Sequence, residues 1–194
     1  SEGTITISMP AGKVTDTYGN PNLASTSTDN QVTYDTSGPT VAELSLEVTY
    51  TRKGPDRFTI TFDERLYDPI GNSETNDVTN PANYLLVESG SNQLFDTTTC
   101  AEGLMDDDTQ IPISNVTYDE GNLQVTVELL NTLPIDSYRL LICGTTSLYN
   151  LTELPLNDGE DTVFDFKVLP APTTLPETGF APGTETPLSA QPDG

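Results

Sequence analysis

Thirty Asp and Glu residues, two cysteines and no histidine define the chemistry open to this sequence. Without imidazole there is no side chain that titrates near neutrality by default, no Ser-His-Asp or Cys-His nucleophile, and no usual zinc site. Catalysis would have to come from carboxylates. An adjacent pair that follows directly on a patterned stretch is Asp63-Glu64. Neighbours on a strand point to opposite faces, so these two do not form a retaining glycosidase pair, whose carboxyls stand about 5 Å apart. Tryptophan is absent as well, so no indole can stack on a sugar. The sequence reads as non-enzymatic.

Carboxylates can also hold calcium, which takes six to eight oxygens from carboxylates, amides and backbone carbonyls. Asp16-x-x-Gly19-Asn20 and Asp68-x-x-Gly71-Asn72 repeat one spacing, and Asn157-Asp158-Gly159-Glu160-Asp161 and Asp106-Asp107-Asp108 are denser. The calcium reading assigns Asp16, Asn20, Asp68, Asn72, Asp158 and Asp161 as ligands. The same residue types make turns with no ion present. No loop carries the calcium helix–loop pattern with its Glu at the twelfth position. A formal net charge of −23 means that bound cations would relieve self-repulsion.

Cys100 and Cys143 lack a C-x-x-C spacing, which argues against redox catalysis and thiolate clusters. Either they are two buried thiols or they are paired; the extracellular look of the rest favours a disulfide. That bond would close a loop of about 43 residues, remove roughly 4 kcal/mol of unfolded-state freedom and pin the weakly patterned stretch 88–110. Lys13 and Lys53 sit in turns, and Lys167 alternates with Phe166 and Val168, so all three read as solvated rather than as isopeptide donors.

Seven Lys and Arg leave no basic patch for nucleic acid. No run of about 18 apolar residues spans a membrane. A secretory leader pattern is also absent, so a secreted chain of this sequence is expected to be a mature or excised piece.

The elements that must position these groups are strands. Thr4 to Met9, Gln31 to Tyr34, Leu44 to Tyr50, Phe58 to Phe62, Tyr84 to Val87, Ile111 to Tyr118, Leu123 to Leu129, Tyr138 to Cys143 and Val163 to Val168 alternate or run apolar between turn residues. Asn80-Pro81-Ala82-Asn83 allows one helical turn. The expected fold is an all-β, Ig-like antiparallel sandwich over residues 43–169. Leu46, Val48, Phe58, Ile60, Phe62, Leu123, Val125, Val127, Phe164 and Phe166 are its expected core. Residues 1–42 hold too few strands to fold alone. Residues 170–194 hold six of the 15 prolines and no Lys or Arg, and read as an acidic linker or extended arm.

Three stretches carry resemblances. Pro10 to Asn22 followed by Val32 to Val41 resembles the C-terminal half of a bacterial Ig-like repeat, a unit that recurs in tandem in surface adhesins. Residues 45–169 resemble the Ig-like domain of bacterial surface-layer proteins. The residues that carry it are Thr59 to Glu64, Asp77 to Leu86, Leu133 to Leu140, and Leu154 to Asp161 leading into Phe164-Asp165-Phe166. Where that family has an Asp-x-x-Gly-Asn turn, Leu151-Thr152-Glu153-Leu154 stands instead. Leu175-Pro176-Glu177-Thr178-Gly179 resembles a sortase sorting motif, which would make a sortase a partner, but polar sequence follows it rather than an apolar span. A Pro-rich linker is the other reading of the same five residues.

Together these imply an extracellular module at a bacterial cell surface, a rigid Ig-like rod with a structural or adhesive role. The alternative is a filament subunit whose half-domain 1–42 is completed by a neighbouring copy, with Leu175 and Phe180 of its tail docking on the open sheet.

Overall fold

The computed structural model describes residues 3–46, 50–71 and 74–170. It is all-β. Strands β1 (Gly3–Thr6) and β2 (Gln31–Tyr34) pair antiparallel, with Ile5 opposite Val32. The remaining strands make two sheets. They are β3 (Val41–Leu44), β4 (Tyr50–Thr51), β5 (Arg57–Phe62), β6 (Tyr84–Glu88), β7 (Thr109–Gln110), β8 (Ile113–Asp119), β9 (Gln124–Leu129), β10 (Ser137–Ile142) and β11 (Thr162–Val168). One sheet runs β3-β5-β9-β8 and the other β4-β11-β10-β6-β7.

The core follows from alternation. On β5 Phe58, Ile60 and Phe62 are buried, and on β9 Val125, Val127 and Leu129 answer them. The second sheet contributes Tyr84, Leu86, Tyr138, Leu140, Ile142, Phe166 and Val168. Each face of alternate residues is thereby committed to one layer of a sandwich. Most of the expected core is where the pattern put it. Leu46 is buried, while Phe164 is half-buried against the core. Leu123 is also only half-buried, because it sits in the turn before β9 with φ of 54°. Val48 lies outside the described residues.

Two details depart from a plain antiparallel sandwich. β4 and β7 have two residues each, too short to show a period, and they bring the strands of the two sheets to nine. β4 pairs parallel with β11, through Lys167 opposite Tyr50, and Leu169 N donates to Thr51 O at 2.7 Å. The expected helical turn is present at Pro81–Asn83, with Asn80 accepting from Ala82 N, and a second short 3-10 turn lies at Leu156–Gly159. No described helix is long and apolar enough to cross a membrane.

Gly38 and Pro39, in the segment that leads into β3, are buried. A Cβ on Gly38 would lie on the Pro155 carbonyl, so only glycine fits this approach. Asn157 N donates to Pro39 O at 2.8 Å and fastens the entering chain to the sandwich.

Candidate functional site

The end of the sandwich nearest Gly38 gathers polar side chains from three distant segments. Asn150 is buried, and its Nδ2 faces Asp35 Oδ2 at 3.1 Å, Glu64 Oε1 at 3.2 Å and Ser37 O at 3.4 Å. Its Oδ1 accepts from Thr152 N, Thr152 Oγ1 and Leu154 N, at 2.9, 2.8 and 2.9 Å. Two backbone N–H donors therefore fix which way the amide points. The Nδ2 end is left to face two carboxylates that would otherwise repel. Burial pushes the Glu64 carboxyl above its ordinary value, and the charges of Asp35 and Asp63 add to this, against the hydrogen bond from Asn150. Asp63, the next residue, turns the other way and accepts from Thr40 N and Oγ1, both at 2.6 Å. The two adjacent carboxylates do diverge, but not as strand neighbours: they lie in the bend that follows β5.

A second constellation fastens the long stretch between β6 and β7. Opposite residues on paired strands share a face, so Val87, Arg139 and Asp165 stand together on the outer side of their sheet. Arg139 makes a bidentate pair with Asp165 at 2.7 and 2.8 Å. It also donates to Thr97 O at 3.2 Å and lies 4.6 Å over the Phe95 ring. Val87 is buried although it belongs to no part of the main core, consistent with this stretch covering the outer face. Asp107 accepts from Ser91 N, Ser91 Oγ and Asn92 N, which holds its carboxyl below the usual range, the Ser91 side chain foremost. Cys100 and Cys143 form a disulfide with Cα atoms 5.6 Å apart. There is no free cysteine, and the pairing fits an oxidising, extracellular or periplasmic compartment.

The residues assigned to calcium fall in four separate places. Asp16 accepts from Tyr18 N, Asn20 N and Asn20 Nδ2, each at 2.9 Å, and the Asn20 bonds depress its carboxyl. Asp16 and Asn20 thus make an exposed turn. Asp68 is exposed; burial of its surroundings and the charge of Asp77 raise its carboxyl. Asn72 lies outside the described residues. Asp158 is exposed in a turn at φ of 56°. Asp161 accepts from Cys100 N at 2.6 Å and from Thr145 N and Oγ1 at 2.9 and 2.7 Å, so it braces the disulfide. Among the described residues no three His, Cys, Asp or Glu side chains converge. Lys13, Lys53 and Lys167 are exposed. The sorting-motif residues Leu175 to Gly179 and the docking residue Phe180 lie outside the described residues.

Sequence reasoning missed Asn150, Arg139 and Phe95. Nothing in their local spacing marks them; only the fold brings their partners to them. It also missed Asp77, which is buried and accepts from Thr79 N and Oγ1 through one oxygen, while the other has no partner among the described residues.

The β1–β2 pair has an apolar face that no described residue covers. Ile5, Ile7, Met9, Val32 and Tyr34 are 49% to 67% exposed, and no residue from 3 to 34 is buried.

No protein-family model and no curated protein matches this chain. Among solved structures, domains 1–6 of the surface layer protein SbsC align at 17% identity over 66% of this chain, with a TM-score of 0.40. The aligned segment spans 13% of the SbsC chain. PcoC, a methionine-rich copper resistance protein from Escherichia coli, aligns at 11% identity over 68% of this chain and 98% of its own, with a TM-score of 0.44. CopC from Methylosinus trichosporium OB3b aligns at 10% identity over 68% and 94%, with a TM-score of 0.39. At TM-scores below 0.5 these likenesses carry no functional information.

Proposed function

We propose that this chain is a structural module of an extracellular bacterial surface protein, a stiff β-sandwich rather than an enzyme. One observation carries the reading: the polar side chains that the fold brings together are engaged in fastening loops. Asp161 braces the disulfide, Asp107 and the Arg139–Asp165 pair hold the stretch before β7, and Asn150 ties the entering chain to the sandwich. Carboxylates saturated by backbone N–H donors are poor bases and good fasteners. The test is immunolabelling of intact cells with antibody raised against the sandwich. Label on unpermeabilised cells is expected; label only after permeabilisation overturns the reading.

A second reading, a self-assembling subunit, is favoured by the bare apolar face of β1–β2. A two-stranded pair is marginal in water, and an uncovered apolar face is an invitation to pack. A neighbouring copy would supply the missing layer, with the segment around Leu175 and Phe180 as the docking strand. Light scattering on the full chain and on a chain lacking residues 171–194 separates the cases. Assembly lost with the tail supports docking by the tail, and a strictly monomeric full chain ends this reading.

A further inference from the structure

The turn in which Leu151-Thr152-Glu153-Leu154 replaces the family's Asp-x-x-Gly-Asn is one wall of a cavity. Asn150 N donates to Leu154 O at 3.0 Å, and Glu153 N to Asn150 O at 3.3 Å. With Asn150 Oδ1 capping Thr152 and Leu154, the turn is closed from both sides, and Glu153 is held at φ of 63°. A neighbouring loop is stitched to it: Leu66 bridges Asn150, Tyr67 N donates to Tyr149 O at 3.0 Å, and Val78 N to Tyr67 O at 3.0 Å. Between the two loops lies a cavity of about 360 Å³, lined by Tyr67, Asn76, Tyr149, Asn150, Leu151 and Glu153.

Most of the polar groups lining this cavity are open to a ligand. Asn150 has no free valence, so it is wall. Tyr67, Asn76 and Tyr149 are each half-buried, yet the two hydroxyls and the carboxamide have no hydrogen-bond partner among the described residues. The Glu153 carboxylate has none either. None of the three half-buried groups is among the buried atoms left without a partner, so they open to solvent and are free to meet a ligand. Here the open valences include two hydroxyls that donate and accept, one amide that does both, and one acceptor. Leu151 and the tyrosine rings supply apolar surface beside them. No Lys or Arg lines the cavity, while Glu153 and the net charge of −23 oppose an anion.

We propose that this cavity is a binding site for one neutral sugar unit of a glycan. A pyranose offers adjacent hydroxyls that both donate and accept, an apolar C–H face and no charge. The volume lies in the range of sites for small ligands. The pre-closed turn means little ordering is needed on binding. The inference goes beyond the structural reading, which stands or falls on surface location whether or not a sugar binds.

The test is titration of the 15N-labelled full chain with methyl glycosides of glucose, galactose, mannose and N-acetylglucosamine. At least one should give saturable amide shifts confined to residues 66–78 and 148–155, with millimolar affinity. Tyr149→Phe, which keeps the ring and removes a hydroxyl, should weaken binding severalfold, and Glu153→Gln, on an exposed position, should weaken it by about tenfold at most. Tyr67→Ala with Tyr149→Ala should abolish it, with the remaining spectrum unchanged. No saturable shift at about 50 mM of any probe, or shifts confined to other loops, overturns the proposal.

Discussion

Asn150 is the residue on which most depends, because it satisfies groups on both its sides. Replacing it with Ala strands the Thr152 and Leu154 N–H donors and leaves Asp35 and Glu64 facing each other with no amide between them. The expected cost is about 1–3 kcal/mol, read from urea denaturation. Glu64 makes a pH prediction. Its carboxyl is raised in the folded chain, so the fold favours its protonated form. That contribution is complete below the ordinary glutamate value of 4.5 and is lost as pH rises through the raised one. Glu64→Gln should match the parent in acid and become the more stable of the two toward neutrality. A constant difference in urea midpoint across that range would refute this. The cysteine pair was legible in sequence because the extracellular look of the rest favoured a disulfide over two buried thiols. Asn150 was not, since an Asn in a turn is ordinary until residues 35, 64 and 150 are known to meet.

The stretch between β6 and β7 is a loop organised from outside itself. Removing the disulfide as Cys100→Ser with Cys143→Ser should cost about 4 kcal/mol at most by loop entropy. Hydrogen exchange should accelerate first over residues 89–108. Arg139→Lys keeps the charge but loses the planar fork that meets Asp165 and stacks on Phe95. Limited proteolysis should then cut this stretch sooner while the sandwich stays intact; unchanged cleavage would mean that Arg139 is not a fastener. Strands such as β5 and β9 were legible because one apolar face repeats every second residue. β4 and β7 were not, because two residues have no period. The covering of the outer face was hidden too, because Phe95 and Thr97 show their role only against Arg139 on β10.

At the scale of the molecule, a packed sandwich carries a two-stranded pair that packs on nothing described. Ile5→Lys with Val32→Lys should suppress any self-association seen by light scattering. The urea midpoint of the sandwich should not move, because neither side chain is buried. A shifted midpoint would place the pair in the same cooperative unit as the core. The parallel β4–β11 contact has a different consequence. Tyr50 and Thr51 run in the same direction as Lys167 and Val168, so the chain enters this contact at one end and leaves it at the other. Tension applied along the chain slides the two strands past each other, and the bonds between them, including Leu169 N to Thr51 O, must yield together. An antiparallel contact at that place would open like a zip, one bond at a time. At this place the parallel geometry withstands pulling better than an antiparallel one would, which accords with the structural role proposed above.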